Sequence, residues 1–161
     1  MPPIEATLCY LEHDGQVLML HRNSRADDVH YGKYNGLGGK LDPGESPLDC
    51  VLRELHEECG LRPGRIRFSG HIAFPAFDGT RDWSVFLYRA FEPQGTLSAD
   101  PAEGALEWVP REQLLELPLW EGDRHFLPWV LADRRFMARF VYEAGVYRSH
   151  EVHFIDEDLA L

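Results

Sequence analysis

Short runs rich in apolar residues recur along much of the chain, and the last two of them alternate apolar and polar residues, as strands with one buried face do. The runs 5–11 and 16–21 flank an Asp14-Gly15 pair, which predicts a hairpin. Further strands are predicted over 66–74, 82–91 and 105–109, with a second hairpin over 135–142 and 146–154. Strands interspersed with helices in this order predict an α/β protein with a mixed sheet between helices.

After residue 46 the apolar residues recur at the spacing of a helix, which predicts a helix there. Ser46 is a suitable N-cap, Pro47 suits the first helical position, and Gly60 is a typical C-terminal stop. The stripe predicted to pack on the sheet consists of Leu48, Val51, Leu52, Leu55 and Cys59. Two further helices are predicted over 110–117 and 123–133, the second capped by Asp123, and residues 23–34 are predicted to form a loop.

Length and composition narrow the class of protein. The 161 residues suffice for one core, so we expect a single domain over residues 1–161. The chain has no long apolar run and no basic, apolar leader at its start, so we expect neither membrane insertion nor secretion. Three sparse cysteines are typical of reduced thiols, which indicates a cytoplasmic location. A formal net charge of -11 argues against stable nucleic-acid binding, but permits a nucleotide substrate bridged by cations.

An unusual density of acidic side chains surrounds the first predicted helix. Glu54, Glu57 and Glu58 lie within about one turn of each other, and we expect them on a face separate from the apolar stripe. Arg53 precedes Glu57 by four residues and can pair with it. Carboxylates this close are stable when a hard divalent cation lies among them, and oxygen ligands suit Mg²⁺ or Mn²⁺. The alternative interpretation is a solvated acidic helix face.

The segment from Gly39 to Leu61 follows the pattern G-x5-E-x7-R-E-U-x-E-E-x-G-U, where U is aliphatic. It resembles the Nudix box of the diphosphate hydrolases at every defined position. The resemblance implies the Nudix fold, an α/β/α sandwich with a mixed β-sheet, and a metal-dependent diphosphatase. The metal ligands that it implies are the Gly39 carbonyl and the carboxylates of Glu54, Glu57, Glu58 and Glu103, with Glu45 orienting the site from behind.

Catalytic roles are also implied by this resemblance. Glu57, Arg53 and Glu54 are the candidate catalytic residues. A carboxylate must take a proton from the attacking water, and the candidates for this general base are Glu57 and Glu103. Glu103 precedes Trp108 by a spacing similar to that of an acidic residue in related enzymes, although an ordinary loop carboxylate would show the same pattern.

Two further runs resemble the MutT-like oxidised-purine nucleoside triphosphatases. Residues 34–40, Tyr-Asn-Gly-Leu-Gly-Gly-Lys, are similar to their Trp-Asn-Gly-Phe-Gly-Gly-Lys, and residues 119–123, followed by Phe126 and Pro128, are similar to their Met-Trp-Pro-Asp-Asp. One position departs from the pattern, because Gly122 replaces the first aspartate. That change puts the breadth of base recognition in doubt.

The chemistry of these runs suits a purine base. Trp120 offers a flat stacking surface, and Asn35 and Asp123 offer hydrogen bonds to a base edge. Lys40 is a candidate for phosphate contact. Phe74 fits either a pocket wall or the core.

The sequence therefore predicts a hydrolase of oxidised purine nucleoside triphosphates, such as 8-oxo-dGTP, that releases a nucleoside monophosphate and pyrophosphate and so cleanses the nucleotide pool. The expected cofactor is Mg²⁺ or Mn²⁺, and the protein is either a monomer or a homodimer. The alternatives are a Nudix hydrolase of ADP-ribose, of a dinucleoside polyphosphate or of a pyrimidine triphosphate, and a nucleotide sensor without catalysis.

Overall fold

A mixed β-sheet with helices on both faces forms the framework of the protein. The computed structural model describes residues 1–100 and 102–161. The strands are β1 (Ile4–His13), β2 (Gln16–His21), β3 (Tyr34–Asn35), β4 (Leu61–Phe74), β5 (Trp83–Gly95), β6 (Ala105–Pro110), β7 (Phe136–Glu143) and β8 (Val146–Phe154). The helices are α1 (Pro47–Cys59), α2 (Glu121–Leu131) and a 3₁₀ helix over Arg111–Glu116.

The strand order is β3-β2-β1-β5-β4-β7-β8, with β6 paired to β2. β1 runs parallel to β5 and β4 parallel to β7, while the hairpins β1–β2 and β7–β8 are antiparallel, as predicted. The segment after β3 also pairs with β1: the Thr7 N–H donates to the Gly39 carbonyl at 2.9 Å, and the Cys9 N–H donates to the Leu37 carbonyl at 2.6 Å. This pairing places Gly39 beside the centre of the sheet.

Alternation along β1 separates two hydrophobic cores. Tyr10 belongs to the core beneath α2, whereas its neighbours Cys9 and Leu11 belong to the core beneath α1. Successive side chains of a strand point to opposite faces, so a single strand serves both layers. The predicted α/β/α arrangement is confirmed. Among the described helices, none is long and apolar enough to cross a bilayer.

Helix α1 has the predicted ends but a different buried face. The Ser46 hydroxyl accepts the Asp49 N–H at 3.1 Å, and Gly60 adopts the left-handed conformation with φ 75°. The buried side chains are Cys50, Val51, Leu55 and Cys59. Leu48 and Leu52 are 44% and 38% exposed, so their assignment to the packed stripe was wrong.

The rotation of α1 has a clear geometric cause. Around a helix with 3.6 residues per turn, Glu54 and Glu58 lie between Cys50 and Val51. Burial of Cys50 therefore turns these two carboxylates inward, toward the loop that contains Gly39. The expectation that all three glutamates share a face apart from the buried stripe was correct only for the exposed Glu57.

Helix α2 begins two residues earlier than predicted. Its N-cap residue is Trp120, and the Asp123 N–H donates to the Trp120 carbonyl at 3.0 Å, so Asp123 lies inside the first turn and its predicted role as the cap was wrong. The Gly122 N–H instead donates to the Tyr142 hydroxyl at 2.7 Å. A side chain on β7 thus satisfies one of the donors that a cap would serve.

The two leucines of α1 provide a matched test of its orientation. We expect Leu55→Ala to lower the free energy of unfolding by about 2–5 kcal/mol, because it leaves a cavity in the core beneath α1. Leu52→Ala removes the same atoms from an exposed position and should cost less than about 1 kcal/mol. Urea unfolding followed by circular dichroism measures both values. Equal losses for the two variants would contradict the orientation of α1.

Candidate active site

The loop at residues 38–39 lies directly against two carboxylates of α1. A Cβ atom added to Gly39 would lie 2.5 Å from the Glu54 carboxyl carbon, so only glycine allows this approach. The Gly38 N–H donates to Glu58 Oε2 at 3.1 Å. These two contacts fix the inward-facing carboxylates beneath the loop.

Arg53 binds three of the predicted site carboxylates at once. Its Nε and Nη2 atoms donate to the two oxygens of Glu45 at 2.7 and 2.9 Å. Its Nη1 atom donates to Glu54 at 2.9 Å and to Glu57 at 3.1 Å, the latter being the predicted helical pair. The arginine hydrogen bonds, helped by a backbone N–H, lower the pKa of Glu45 to about 2. Glu45 therefore stays ionised and orients Arg53.

Mutual repulsion shapes the electrostatics of the acidic cluster. Burial, joined by the nearby charges of Glu54 and Glu103, raises the pKa of Glu58 to about 8, although the hydrogen bond from the Gly38 N–H opposes the shift. Burial also raises the pKa of Glu54, with a contribution from Glu57 that Arg53 opposes. The predicted glutamates thus influence one another, although Glu57 and Glu103 are exposed. Full ionisation of this cluster calls for positive charge beyond that of Arg53.

The oxygen atoms of the cluster are not arranged as a ready-made metal centre. Within residues 1–100 and 102–161, no group of three acidic, imidazole or thiol side chains converges tightly enough to hold an ion. Glu54 and Glu57 instead point to Arg53, and Glu58 points to the Gly38 N–H. The chemistry of the set, carboxylates beside a carbonyl, nevertheless fits a hard divalent cation.

A pocket of about 470 Å³ adjoins the loop at residues 38–39. All five residues predicted to bind substrate line it: Asn35, Lys40, Phe74, Trp120 and Asp123. Phe74 both lines the pocket and packs against the core beneath α2, so the two alternatives given for it are not exclusive. The walls further include Thr7, His30, Phe77, Trp83 and Tyr142, which the sequence reasoning did not select.

Trp120 forms one wall of this pocket and is held there by His30, which belongs to no motif in the sequence. Its Nε1–H donates to His30 Nδ1 at 2.7 Å. Burial lowers the pKa of His30, with help from Arg22, so the imidazole stays neutral and accepts this bond. The edges and faces of Phe77 and Tyr142 pack against Trp120 with ring centroids 5.9 and 5.8 Å away. The indole is therefore fixed in orientation.

The polar groups of the pocket are incompletely paired. Asn35 Nδ2 is buried and makes no hydrogen bond to any residue in the described part of the chain. An unmatched donor of this kind is costly, and a bound molecule with an acceptor would relieve the cost. Asp123 retains some solvent contact, but burial raises its pKa to about 7, while Lys33 and Arg124 oppose the shift.

Gly122, the departure from the related pattern, has a structural explanation. A Cβ atom at this position would lie 2.6 Å from the Tyr142 hydroxyl oxygen and 3.1 Å from a ring carbon of Phe140. Tyr142 thus fills the space that a side chain at position 122 would need.

Comparison with known proteins settles the family. The profile of the NUDIX domain matches residues 1–130. The chain belongs to the Nudix hydrolase family. It is 30% identical over 154 residues to the oxidised purine nucleoside triphosphate hydrolase of Danio rerio, which covers 94% of this chain and 93% of the relative. It is 29% identical over 135 residues to the CTP pyrophosphohydrolase of Escherichia coli, covering 83% of this chain and 96% of the relative.

The fold agrees with a solved structure as well. The crystal structure of a MutT protein from Bacillus halodurans superposes with a TM-score of 0.81 at 29% identity, covering 92% of this chain and 97% of that one. This Nudix hydrolase is therefore a diphosphatase that acts on nucleotide derivatives, and members of the family generally use divalent metal ions. The matched relatives carry different bases in their names, so the family alone does not fix the substrate.

The raised pKa of Asp123 gives a testable dependence of stability on pH. Its folded-state pKa is about 7 against an ordinary 3.8, so the folded protein keeps a proton that the unfolded chain has lost. Stability must then fall as pH rises across this interval. Asp123→Asn removes this titration, and we expect its melting temperature, relative to the native protein, to increase from pH 5 to pH 8.

The exposed Asp27 supplies a control for this measurement. Asp27→Asn makes the same substitution at the surface, and we expect its melting temperature to stay close to that of the native protein. A pH-independent difference for Asp123→Asn in differential scanning calorimetry would show that Asp123 is ionised throughout this range.

Proposed function

We propose that this Nudix hydrolase cleaves purine nucleoside triphosphates, oxidised ones such as 8-oxo-dGTP among them, into a nucleoside monophosphate and pyrophosphate. The observation that carries the proposal is the continuity of the two sites. The loop at residues 38–39 borders the aromatic pocket on one hand and contacts Glu54 and Glu58 on the other. A base in the pocket would thus extend its phosphates toward the acidic cluster.

The acidic cluster supplies the proposed metal site. Gly39, Glu54, Glu57, Glu58 and Glu103 are the residues that would hold Mg²⁺ or Mn²⁺. Their oxygen atoms suit a hard cation, and a bound cation would favour the ionised forms of Glu54 and Glu58, whose pKa values are raised mainly by burial. When bound, such ions neutralise phosphate oxygens and make a water molecule more acidic.

The remaining groups of the cluster orient the reaction. Arg53, held by Glu45, keeps the carboxylates of Glu54 and Glu57 in place through its 2.9 and 3.1 Å hydrogen bonds. Glu57 is exposed and can accept a proton from the attacking water, with Glu103 as the other candidate for this general base. Lys40, exposed beside Gly39 on the pocket lining, would contact the phosphates.

The pocket suits the base. Trp120 offers a fixed surface for stacking, and Phe74 lies on the lining as well. Asn35 and Asp123 offer polar contacts to the base edge. In a cell, hydrolysis of damaged triphosphates would keep them out of DNA synthesis.

A pyrimidine triphosphate is the second candidate substrate, because the chain is 29% identical over 135 residues to the CTP pyrophosphohydrolase of Escherichia coli. A small pyrimidine would leave part of the pocket unfilled. ADP-ribose, dinucleoside polyphosphates and a purely sensory role are further alternatives that a substrate panel separates.

The catalytic role of Glu57 is tested by Glu57→Gln. The change removes the proton-accepting carboxylate but keeps its shape, so we expect at least a hundredfold lower kcat, roughly 3 kcal/mol of transition-state stabilisation. Nucleotide affinity should fall only modestly. Glu112→Gln, at an exposed position on the 3₁₀ helix, serves as the control and should keep full activity. Unchanged hydrolysis by Glu57→Gln would point to Glu103 or to contaminating activity.

Substrate choice is tested with pyrophosphate-release kinetics on 8-oxo-dGTP, dGTP, dATP, CTP and ADP-ribose, each with Mg²⁺ and with Mn²⁺. We expect the highest kcat/KM among the purine triphosphates, because the pocket lining offers aromatic surfaces for stacking and polar groups for a base edge. A higher kcat/KM for CTP or for ADP-ribose would refute the proposed substrate class. Removal of the divalent ion with a chelator should abolish turnover.

A further inference from the structure

The Tyr142 hydroxyl lies at the junction of β7, α2 and the pocket. The side chain is 6% exposed and contributes to the pocket wall. Its oxygen accepts the Gly122 N–H at 2.7 Å. The ring is confined by Phe77 and Trp120, whose centroids lie 5.3 and 5.8 Å away in edge-to-face geometry. The hydroxyl thus has a defined position and little freedom to turn away.

The proton of this hydroxyl has no partner in the protein. Among residues 1–100 and 102–161, Tyr142 makes the bond from Gly122 and no hydrogen bond to an acceptor. Burial raises the pKa of Tyr142, and the neighbouring Asp123 contributes, so the phenol keeps its proton at physiological pH. Because the oxygen already accepts a bond, the O–H group is left to act as a donor.

Two residues of the pocket lining, Tyr142 and Asn35, therefore each carry a donor without an acceptor, the Tyr142 O–H and the buried Asn35 Nδ2–H. Donors without acceptors inside a protein are satisfied by ligands that bring acceptors. A purine with an oxygen at C6 presents such an acceptor. A purine with an amino group at C6 presents a donor at the same atom and would leave the Tyr142 proton opposed by another hydrogen.

We propose that Tyr142 is a specificity-determining residue, whose hydroxyl selects 6-oxo purines over 6-amino purines in this pocket. The inference rests on the proposed function, since it takes the pocket to hold the base. Gly122 is its structural counterpart, because a side chain there would occupy the position of the hydroxyl. Discrimination arises because a buried polar group of the site is left unpaired by the wrong base.

The test is a comparison of Tyr142→Phe with the native protein on dGTP, dITP and dATP. The variant keeps the ring and removes only the hydroxyl. We expect kcat/KM for dGTP and dITP to fall about tenfold, the usual effect of one lost hydrogen bond, and kcat/KM for dATP to change less than about threefold. The preference for 6-oxo purines should therefore shrink by about the same factor of ten.

Two further variants separate selectivity from stability. Tyr147→Phe is the matched control, because the Tyr147 hydroxyl pairs with His150 Nδ1 at 2.6 Å and does not line this pocket. Its selectivity should equal that of the native protein. Gly122→Ala displaces the hydroxyl and should reduce the preference in the same way. When Gly122→Ala is added to Tyr142→Phe, the dGTP-to-dATP ratio should not change again.

The outcomes distinguish this inference from the function on which it depends. An unchanged dGTP-to-dATP ratio in a folded, active Tyr142→Phe overturns the role of the hydroxyl and leaves the purine triphosphatase proposal standing. Native protein that hydrolyses none of the purine triphosphates overturns both. A native preference for dATP over dGTP overturns the selectivity argument alone.

Discussion

The contact between the loop at residues 38–39 and the inward carboxylates of α1 is the constraint on which the site depends. It exists because Gly39 has no side chain where Glu54 approaches, and because the Gly38 N–H binds Glu58. Pairing of the same loop with β1 ties it to the sheet. The acidic cluster and the pocket are consequently held at one fixed separation by a single backbone segment.

The balance between the glutamate and arginine charges at this contact determines what chemistry the site can support. Burial and mutual repulsion disfavour ionisation of Glu54 and Glu58, and Arg53 compensates only in part. Arg53 also orients the cluster by fork-like hydrogen bonds, which a lysine could not reproduce. The site thus combines rigid positioning with an unsatisfied demand for positive charge, a combination suited to phosphate chemistry assisted by divalent ions.

The pocket is built differently, from segments that are distant in sequence. Asn35 lies on β3, Trp120 is the N-cap residue of α2, and Tyr142 is the next-to-last residue of β7. His30, on a loop without motif, fixes the indole. Such a site can change its base preference through a few side chains while the acidic cluster stays the same, which fits a family whose matched relatives have names with different bases.

The sequence by itself determined the elements and the acidic cluster. Short apolar runs beside turn signals predicted most of the strands, Ser46 and Gly60 marked the ends of α1, and the fixed spacing of the glutamates identified their helix, because these signals act within a few residues. Local signals also placed Asn35 and Trp120 among the binding candidates. Only the tertiary structure decided which face of α1 is buried, where α2 starts, and how His30 and Tyr142 complete the pocket. Those features arise from contacts between residues about 20 to 90 positions apart, such as the Tyr142 hydroxyl with the Gly122 N–H and Trp120 with His30, and no pattern along the chain predicts such contacts.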